Sequence, residues 1–330
     1  MVDRAHGGQH VRAGFKYEDA GFRETPTDDW LKPFGRDTTI QTLEGSNNAI
    51  EAFGLADNQA EEIIAQHFEG SLSVQFNLSN PFWAPAVLED PETSGTEAPY
   101  DHEMRDIEPT SLHVPVFYER SEDMRLIEGY IPTSASIDVQ VDGTATVQLN
   151  GPYAYEDPDP AGYDPNDPFE QPVDEYRSMT FAQAQLEKPD GTMLDLVQNV
   201  SLTINANAGV LRGLGSRFAT DYLARNVNVE VNFTKVVENR EQQTDLYGAA
   251  AGPQEEMFSD EDLAVSFNNG LSGDDENALD FTIPGGMTDR YSESGIGNPQ
   301  QNLEGQVNFR GTIVNADARN DVEDWTTAPA

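Results

Sequence analysis

Runs in which apolar and polar residues alternate recur along this chain, and they restrict the fold more than any other feature. Residues 70–80, GSLSVQFNLSN, alternate without interruption. A period of two is typical of a β-strand with one buried face. In residues 134–151, SASIDVQVDGTATVQLNG, two such runs flank Asp142-Gly143, a dipeptide typical of a two-residue hairpin turn. The pattern therefore predicts antiparallel strand pairs.

Further runs of this type fill the middle and the end of the chain. They are 113–119, 126–131, 199–207, 226–237, 263–269, 278–286 and 305–317. Strands and helices do not alternate in the way that parallel sheets require. We therefore predict a mainly β fold, an antiparallel β-sandwich or open barrel, with one or two short flanking α-helices.

Two segments carry helical signals. After Asp57, a plausible N-cap, Ile63, Ile64 and Phe68 lie at helical spacing, and Gly70 ends the segment. Ser216 similarly precedes a candidate helix over 217–225. Residues 80–88, NPFWAPAVL, contain two prolines, which favour an irregular segment or a single helical turn.

The chain divides into two predicted parts. Residues 1–40 are comparatively basic and lack periodicity until Trp30, which predicts an extended N-terminal arm that contacts other subunits, or alternatively a frayed terminus. Residues 41–330 form the β-domain. Acidic loop insertions are expected at about 151–178 and 245–278, where Asp, Pro and Gly accumulate.

The chain is extremely acidic, with 59 acidic and 19 basic residues and a formal charge of −40. Repulsion on such a surface destabilises a compact state in dilute salt. Concentrated salt relieves it, because the Debye length falls from about 10 Å at 0.1 M to about 3 Å at 1 M. Lysine is scarce and cysteine is absent. We therefore expect synthesis in a haloarchaeal cytoplasm; an ordinary acidic mesophilic protein is the alternative.

Composition also argues against several kinds of function. Without cysteine there are no disulfides, catalytic thiols or thiolate metal sites. The N-terminal residues lack the apolar region of a secretory signal, and no run reaches the roughly 20 apolar residues of a membrane span, so we expect no membrane insertion. An acidic surface repels phosphates, which disfavours specific binding of nucleic acid.

The sequence predicts no enzyme and no cofactor. It lacks the HExxH, GxSxG and Walker motifs. With so many acids, some carboxylate pair will always have a suitable separation for glycoside hydrolysis, so such a pair carries no information. The weak candidate for a Ca²⁺ site is an Asp-rich segment with Gly162, and a loop that binds only solvent and salt is the alternative. Its possible ligands are Asp157, Asp159, Asp164 and Asp167.

One segment is locally positive. Residues 209–226, GVLRGLGSRFATDYLARN, set three arginines against Asp221. A solvated helix with an ion-pair ladder would explain them, although exposed pairs contribute only about 0.2–1 kcal/mol. A contact between copies is the other interpretation, because Arg pairs well with carboxylates. The candidate interface residues are Arg212, Arg217, Asp221 and Arg225, with Arg4, Arg12 and Arg23 of the arm.

Four stretches together resemble the major tail tube proteins of tailed viruses with long non-contractile tails. They are residues 62–88, 131–151, 200–237 and 305–316. The resemblance implies a β-sandwich with a flanking helix that forms stacked hexameric rings, with sheets joined across subunits around a channel. It also implies a place in the virion tail beside the tape measure, terminator and tail-tip proteins. With the salt-adapted composition, it implies a siphovirus-like virus of halophilic archaea.

In that setting genomic DNA would pass without specific binding, and we expect an acidic lumen that repels the duplex. The acidic insertions would lie outside the tube or between rings. The alternative function is a salt-adapted cell-surface or viral spike β-sandwich that binds a receptor or glycan through its acidic loops, with or without Ca²⁺.

Overall fold

The structure is a computed structural model of the chain. It describes residues 11–18, 21–26, 30–53, 60–118, 123–158, 160, 176–188, 192–225, 227–238, 240–247, 252–253, 261–296 and 302–325. The predicted fold class is confirmed: the described residues are mainly antiparallel β-structure, with a single α-helix and no closed barrel.

The strands in chain order are β1 (Val11–Tyr17), β2 (Lys32–Pro33), β3 (Arg36–Ser46), β4 (Ile50–Phe53), β5 (Ala60–Ile64), β6 (Glu69–Asn77), β7 (Glu92–Ser94), β8 (Tyr100–Met104), β9 (Leu112–Tyr118), β10 (Asp123–Tyr130) and β11 (Ser134–Gln140). They continue with β12 (Thr146–Tyr153), β13 (Tyr155–Asp157), β14 (Ala184–Glu187), β15 (Val197–Asn205), β16 (Gly209–Leu211), β17 (Asp221–Leu223), β18 (Asn228–Val236), β19 (Glu261–Asn268), β20 (Ala278–Ser294), β21 (Glu304–Gly311) and β22 (Asn315–Asn320). The helix α1 is Glu241–Tyr247.

The largest layer is an eight-stranded sheet in the order β3-β6-β12-β11-β15-β18-β21-β20. We call it the main sheet. A second layer, β14-β19-β20-β22-β8-β7, continues from it through β20, and a third contains β13-β10-β9-β1-β2. The pairs β4–β5 and β16–β17 stand apart as two-stranded ribbons.

The hairpin predicted at Asp142-Gly143 is confirmed. Ile137 of β11 pairs with Val147 of β12, and the amide of Gly143 donates to the carbonyl of Gln140 at 2.9 Å. Asp142 has a φ of 62°, which Asp tolerates better than most residues. Both strands therefore turn their apolar residues to the same side of the main sheet.

One hydrophobic cluster connects the three layers. Phe34 joins the third layer to the main sheet, since its ring lies 4.7 Å from Phe15 of β1 and 5.8 Å from Phe76 of β6. Trp83 is buried next to the 3₁₀ turn Ala84–Ala86, which agrees with the single helical turn predicted for residues 80–88. The alternating runs thus supply the core, and the layers bury one another.

Strand β20 passes from one layer to another at a glycine pair. Before the pair, β20 binds β19 and β22; after it, β20 binds β21. Gly285 has a φ of +60°. A Cβ on Gly286 would lie 2.6 Å from the carbonyl oxygen of Arg310 and 2.4 Å from the ring of Phe309. Only glycine therefore fits where the strand crosses β21.

Both predicted helices are wrong. Residues 60–64 form β5, which pairs with β4 so that Ile64 lies opposite Ile50. Residues 221–223 form β17 and pair with β16, while 217–220 form a loop. In each case the segment pairs with a neighbouring segment as a strand. A short apolar pattern fits both a helix and a strand, so its spacing alone does not decide between them. The one α-helix, α1, was not predicted.

The predicted arm and insertions are described only in part. Residues 11–17 of the arm form β1, which pairs with β9 and is largely buried. Residues 261–268 of the second insertion form β19. The division of the chain at residue 40 and the role of the arm and insertions stay predictions. Within the described ranges no helix has the length and apolar character needed to cross a membrane.

A buried histidine anchors the end of the described chain. The indole N–H of Trp325 donates to Nε2 of His102 at 3.1 Å, Nδ1 lies 2.9 Å from Oγ1 of Thr93, and Nε2 also lies 3.2 Å from Oδ1 of Asn320. Burial lowers the pKa of His102, so the folded protein favours the neutral imidazole.

We expect acidification below about pH 6.5, the pKa of an unfolded histidine, to destabilise the fold. There the unfolded chain binds a proton that folded His102 does not, so stability rises with pH by up to about 1.4 kcal/mol per unit. Denaturant titrations between pH 7 and pH 5 in molar salt measure this slope. The His102→Gln variant should show a smaller slope than the wild type, and equal slopes would contradict the assignment.

Candidate functional site

The positive segment anchors the base of an exposed hairpin. We call β4 and β5 the hairpin, and residues 209–223, with β16 and β17, the lobe. Nε of Arg217 in the lobe donates to the carbonyl of Gln66 at 3.1 Å, and Nη2 donates to Oδ1 of Asn47 at 2.8 Å. These two residues flank the hairpin and are themselves joined by a backbone hydrogen bond. One guanidinium therefore holds both of its ends.

A second arginine and an aromatic cluster extend this anchor. Nη2 of Arg212 donates to the carbonyl of Phe68 at 3.1 Å, and the amide of Phe68 donates to the carbonyl of Arg217 at 2.8 Å. The ring of Phe68 lies 5.9 Å from Phe218 of the lobe and 5.8 Å from Tyr153 of β12. The hairpin base, the lobe and the main sheet are thus packed together.

Arg23 connects the lobe to the N-terminal residues. Its guanidinium lies over the rings of Tyr155 and Phe218, at 5.0 Å and 5.8 Å, and 3.4 Å from the carboxylate of Glu128. Its backbone amide donates to buried Glu18 at 2.7 Å. Cation–π contacts of this kind stabilise by about 0.5–1 kcal/mol or more when partly desolvated. Arg23 therefore acts within the chain.

The remaining candidate residues do not gather into one patch. The predicted ladder of Arg217, Asp221 and Arg225 is absent, because these residues do not share a helix. Asp221 begins β17 and accepts a hydrogen bond from the amide of Tyr222 at 2.8 Å. The Arg225 guanidinium lies against Gly209, and Arg12 is exposed on β1.

Arg4 lies outside the described residues. Arg212, Arg217 and Arg23 have partners inside the chain, and a contact of any of these residues with another copy stays a prediction.

The main sheet has an unpaired edge on each side. In the described residues β3 pairs only with β6, and residues 287–294 pair only with β21. Helix α1 packs against β20. Edges that present free N–H and C=O groups invite pairing with another chain.

The face of the main sheet that points away from the core is polar and mostly uncharged on its six central strands. We call it the neutral polar face. Its residues on these strands are Glu69, Ser71, Ser73, Gln75, Asn77, Ser134, Ser136, Asp138, Gln140, Thr146, Gln148, Asn150, Asn199, Ser201, Thr203, Asn205, Asn228, Glu230, Asn232, Thr234, Glu304, Gln306, Asn308 and Arg310. Five of these carry charge, Glu69, Asp138, Glu230, Glu304 and Arg310, and the others are amides, hydroxyls and other uncharged polar groups.

Hydrogen bonds run across this face between neighbouring strands. Nδ2 of Asn308 donates to Oδ1 of Asn232 at 2.7 Å, and Oγ of Ser73 donates to Oδ1 of Asn150 at 2.7 Å. Cross-strand pairs of this kind stabilise a sheet by about 0.2–1 kcal/mol each. The amides and hydroxyls therefore hold one another in place and form a mostly uncharged surface.

The Asp-rich candidate for a Ca²⁺ site lies mostly outside the described residues. Asp157 ends β13, while Asp159, Asp164 and Asp167 fall in the undescribed part. The described side chains hold no group of three or more His, Asp or Glu residues that could bind a metal ion. The Ca²⁺ site stays a prediction.

Comparison with known families decides the class of the protein. A family model described as phage tail tube protein matches residues 8–311, almost the whole chain. The chain belongs to the phage tail tube protein family. No individual curated protein matches it significantly. Membership makes it a structural protein of the virion tail. It also indicates, in general terms, self-assembly and contact with other tail components.

The family match confirms the resemblance to tail tube proteins that was drawn from sequence. The arginine anchor and the neutral polar face were missed. The acceptors of Arg217 and Arg212 include backbone carbonyls about 150 residues away, for which sequence carries no signal. The neutral polar face could have been found, because its members are the polar positions of the alternating runs.

We expect Arg217→Ala to loosen the hairpin without unfolding the domain. Removing two hydrogen bonds at an exposed site should cost about 1 kcal/mol. Amide hydrogen exchange over residues 47–68 should become faster, while exchange in β15 and β18 stays unchanged. Arg310→Ala, which removes an exposed arginine from β21 in another part of the main sheet, is the matched control. Unchanged exchange at 47–68 in Arg217→Ala would contradict the anchor.

Proposed function

We propose that copies of this tail tube protein pair edge to edge into hexameric rings that stack into a tube for genomic DNA. The observation that supports this most directly is that, among the described residues, no second strand pairs with β3 or with residues 287–294 at the two edges of the main sheet. β3 of one copy would pair with residues 287–294 of its neighbour. One contact repeated around an axis then closes a ring, and a contact of this obligate type should bury over ~2,000 Å².

The number of strands suits such a closure. Eight strands run from β3 to β20, each antiparallel to the next. The first and the last therefore run in opposite directions. A neighbour related by rotation about the ring axis would place its β3 antiparallel to β20, so the pairing would continue without a parallel step.

We propose that the neutral polar face lines the channel. A wall with little charge neither attracts nor strongly repels phosphates, so the duplex could slide past it without specific binding. This replaces the acidic lumen expected from composition. The acidic residues would then lie mainly on surfaces in contact with concentrated salt, as in a siphovirus-like virus assembled in the cytoplasm of a halophilic archaeon. Tape measure, terminator and tail-tip proteins would be the neighbours of the tube.

Electron microscopy of the purified protein in molar salt tests the assembly. We expect rings or tubes about 100 Å wide, given the size of the domain. The Thr39→Lys/Gln41→Lys variant should reduce the assembled fraction roughly tenfold, because lysines on an edge strand oppose pairing. The matched control, Gln140→Lys/Asn199→Lys, places two lysines on central strands of the same face and should still assemble. Wild-type monomers at every salt and protein concentration would refute the proposal and favour the spike alternative.

The wall assignment has a separate test, made simple by the absence of cysteine. In tubes of Ser201→Cys, a small maleimide should react while a maleimide coupled to a globular protein should not. Both should react with the unassembled protein. Reaction of both reagents with tubes would place the neutral polar face outside, and reaction of neither would place it between copies.

A further inference from the structure

Exposed apolar side chains collect at three places on this otherwise acidic protein. One is the hairpin, another is the lobe, with Leu211, Leu214 and Leu223, and the third is a groove beside the ends of β11 and β15. We propose that the hairpin of one copy docks through Ile50 and Ile64 into the groove of a copy in the next ring. This inference rests on the proposed tube and names the contact that would stack its rings.

The hairpin presents a paired apolar patch. Ile50 is 49% exposed and lies directly opposite Ile64, which is 39% exposed. Side chains opposite one another in an antiparallel pair lie on the same face, with Cβ atoms about 4.5–5.5 Å apart. Ile63 points to the reverse face. The arginine anchor fixes the base of the hairpin, so this patch is held in a defined position.

The groove is lined mainly by apolar residues, together with Gln185, Asp195 and Gln198. It has a volume of about 410 Å³. Val200, Leu186 and Val265 line it and are buried, whereas Met193 and Leu196, also in its lining, are 45% and 49% exposed. Exposed apolar side chains next to buried ones form a concave surface that another apolar group can fill.

The strand register places the patch and the groove at opposite ends of the main sheet. Gly45 pairs with Gly70, and Gly70 pairs with Tyr153, so the hairpin lies at that end. β6 runs from that end to Asn77 at the other end of the sheet. Val141 of the groove lies beyond this second end, where its amide donates to the carbonyl of Gln198. Nine residues of strand span about 30 Å.

Because the patch and the groove lie at opposite ends of the main sheet, two copies could contact each other head to tail. A patch that fits a groove elsewhere on the same molecule makes a heterologous contact, which propagates along an axis. Molar salt favours it. The Debye length of about 3 Å screens the repulsion between acidic copies, while apolar burial remains attractive. A second copy of this chain is therefore the occupant that the charge and geometry support.

Interchain disulfide formation tests the contact. In the Ile50→Cys/Met193→Cys variant, a bond within one chain is excluded, since disulfides need Cα atoms about 4.4–6.8 Å apart. Oxidised tubes should therefore run as ladders of covalent multimers on non-reducing gels, while unassembled protein stays monomeric. Ile63→Cys/Met193→Cys, with its cysteine on the reverse face of the same hairpin, is the matched control and should cross-link several-fold less.

The outcomes separate this contact from the tube itself. Tubes of Ile50→Cys/Met193→Cys without covalent multimers, or equal cross-linking from the control, would overturn the docking while leaving the tube proposal standing. A wild-type protein that never assembles would overturn both. Leu223→Cys/Met193→Cys multimers in place of those from Ile50→Cys would assign the groove to the lobe and also overturn the inference.

Discussion

An antiparallel sheet that does not close on itself leaves backbone hydrogen-bonding groups without partners at its two borders, and this constraint governs the molecule. The second and third layers cover one face of the main sheet, and α1 packs against β20. The described residues cover neither β3 nor the far end of β20 with another strand. In the proposed rings, the backbone groups at these borders would pair with those of neighbouring copies.

The distribution of charge also bears on contacts with other molecules. A net charge of −40 serves solubility in concentrated salt and works against association. The residues that could meet another molecule closely differ from this average. The neutral polar face has amides and hydroxyls, and the hairpin and groove have isoleucine, methionine and leucine. The hairpin also contains Glu51, Glu61 and Glu62, and the groove contains Asp195, so it is the residues Ile50, Ile64, Met193 and Leu196 themselves that would meet a like-charged copy without repulsion.

Local chemistry made the sheets predictable. Alternation at Leu72, Val74 and Phe76 fixes which side is buried, and Asp142-Gly143 fixes one turn, so these elements follow from sequence. The segment around Ile63 could not be assigned in this way, since its spacing fits a helix and its strand partner, the segment around Ile50, lies outside it. The anchor of Arg217 is less accessible still, because its acceptors belong to a segment distant in sequence. Long-range pairing decides what local pattern leaves ambiguous.

The arginine anchor has a consequence for how such a protein can diverge. Arg217 and Arg212 hold the hairpin base largely through the main-chain oxygens of Gln66 and Phe68. A backbone carbonyl is present at these positions whichever amino acid occupies them. The exposed strands beyond them can therefore change their side chains while the arginine anchor stays the same, so the surface that the hairpin presents can diverge without loss of its position.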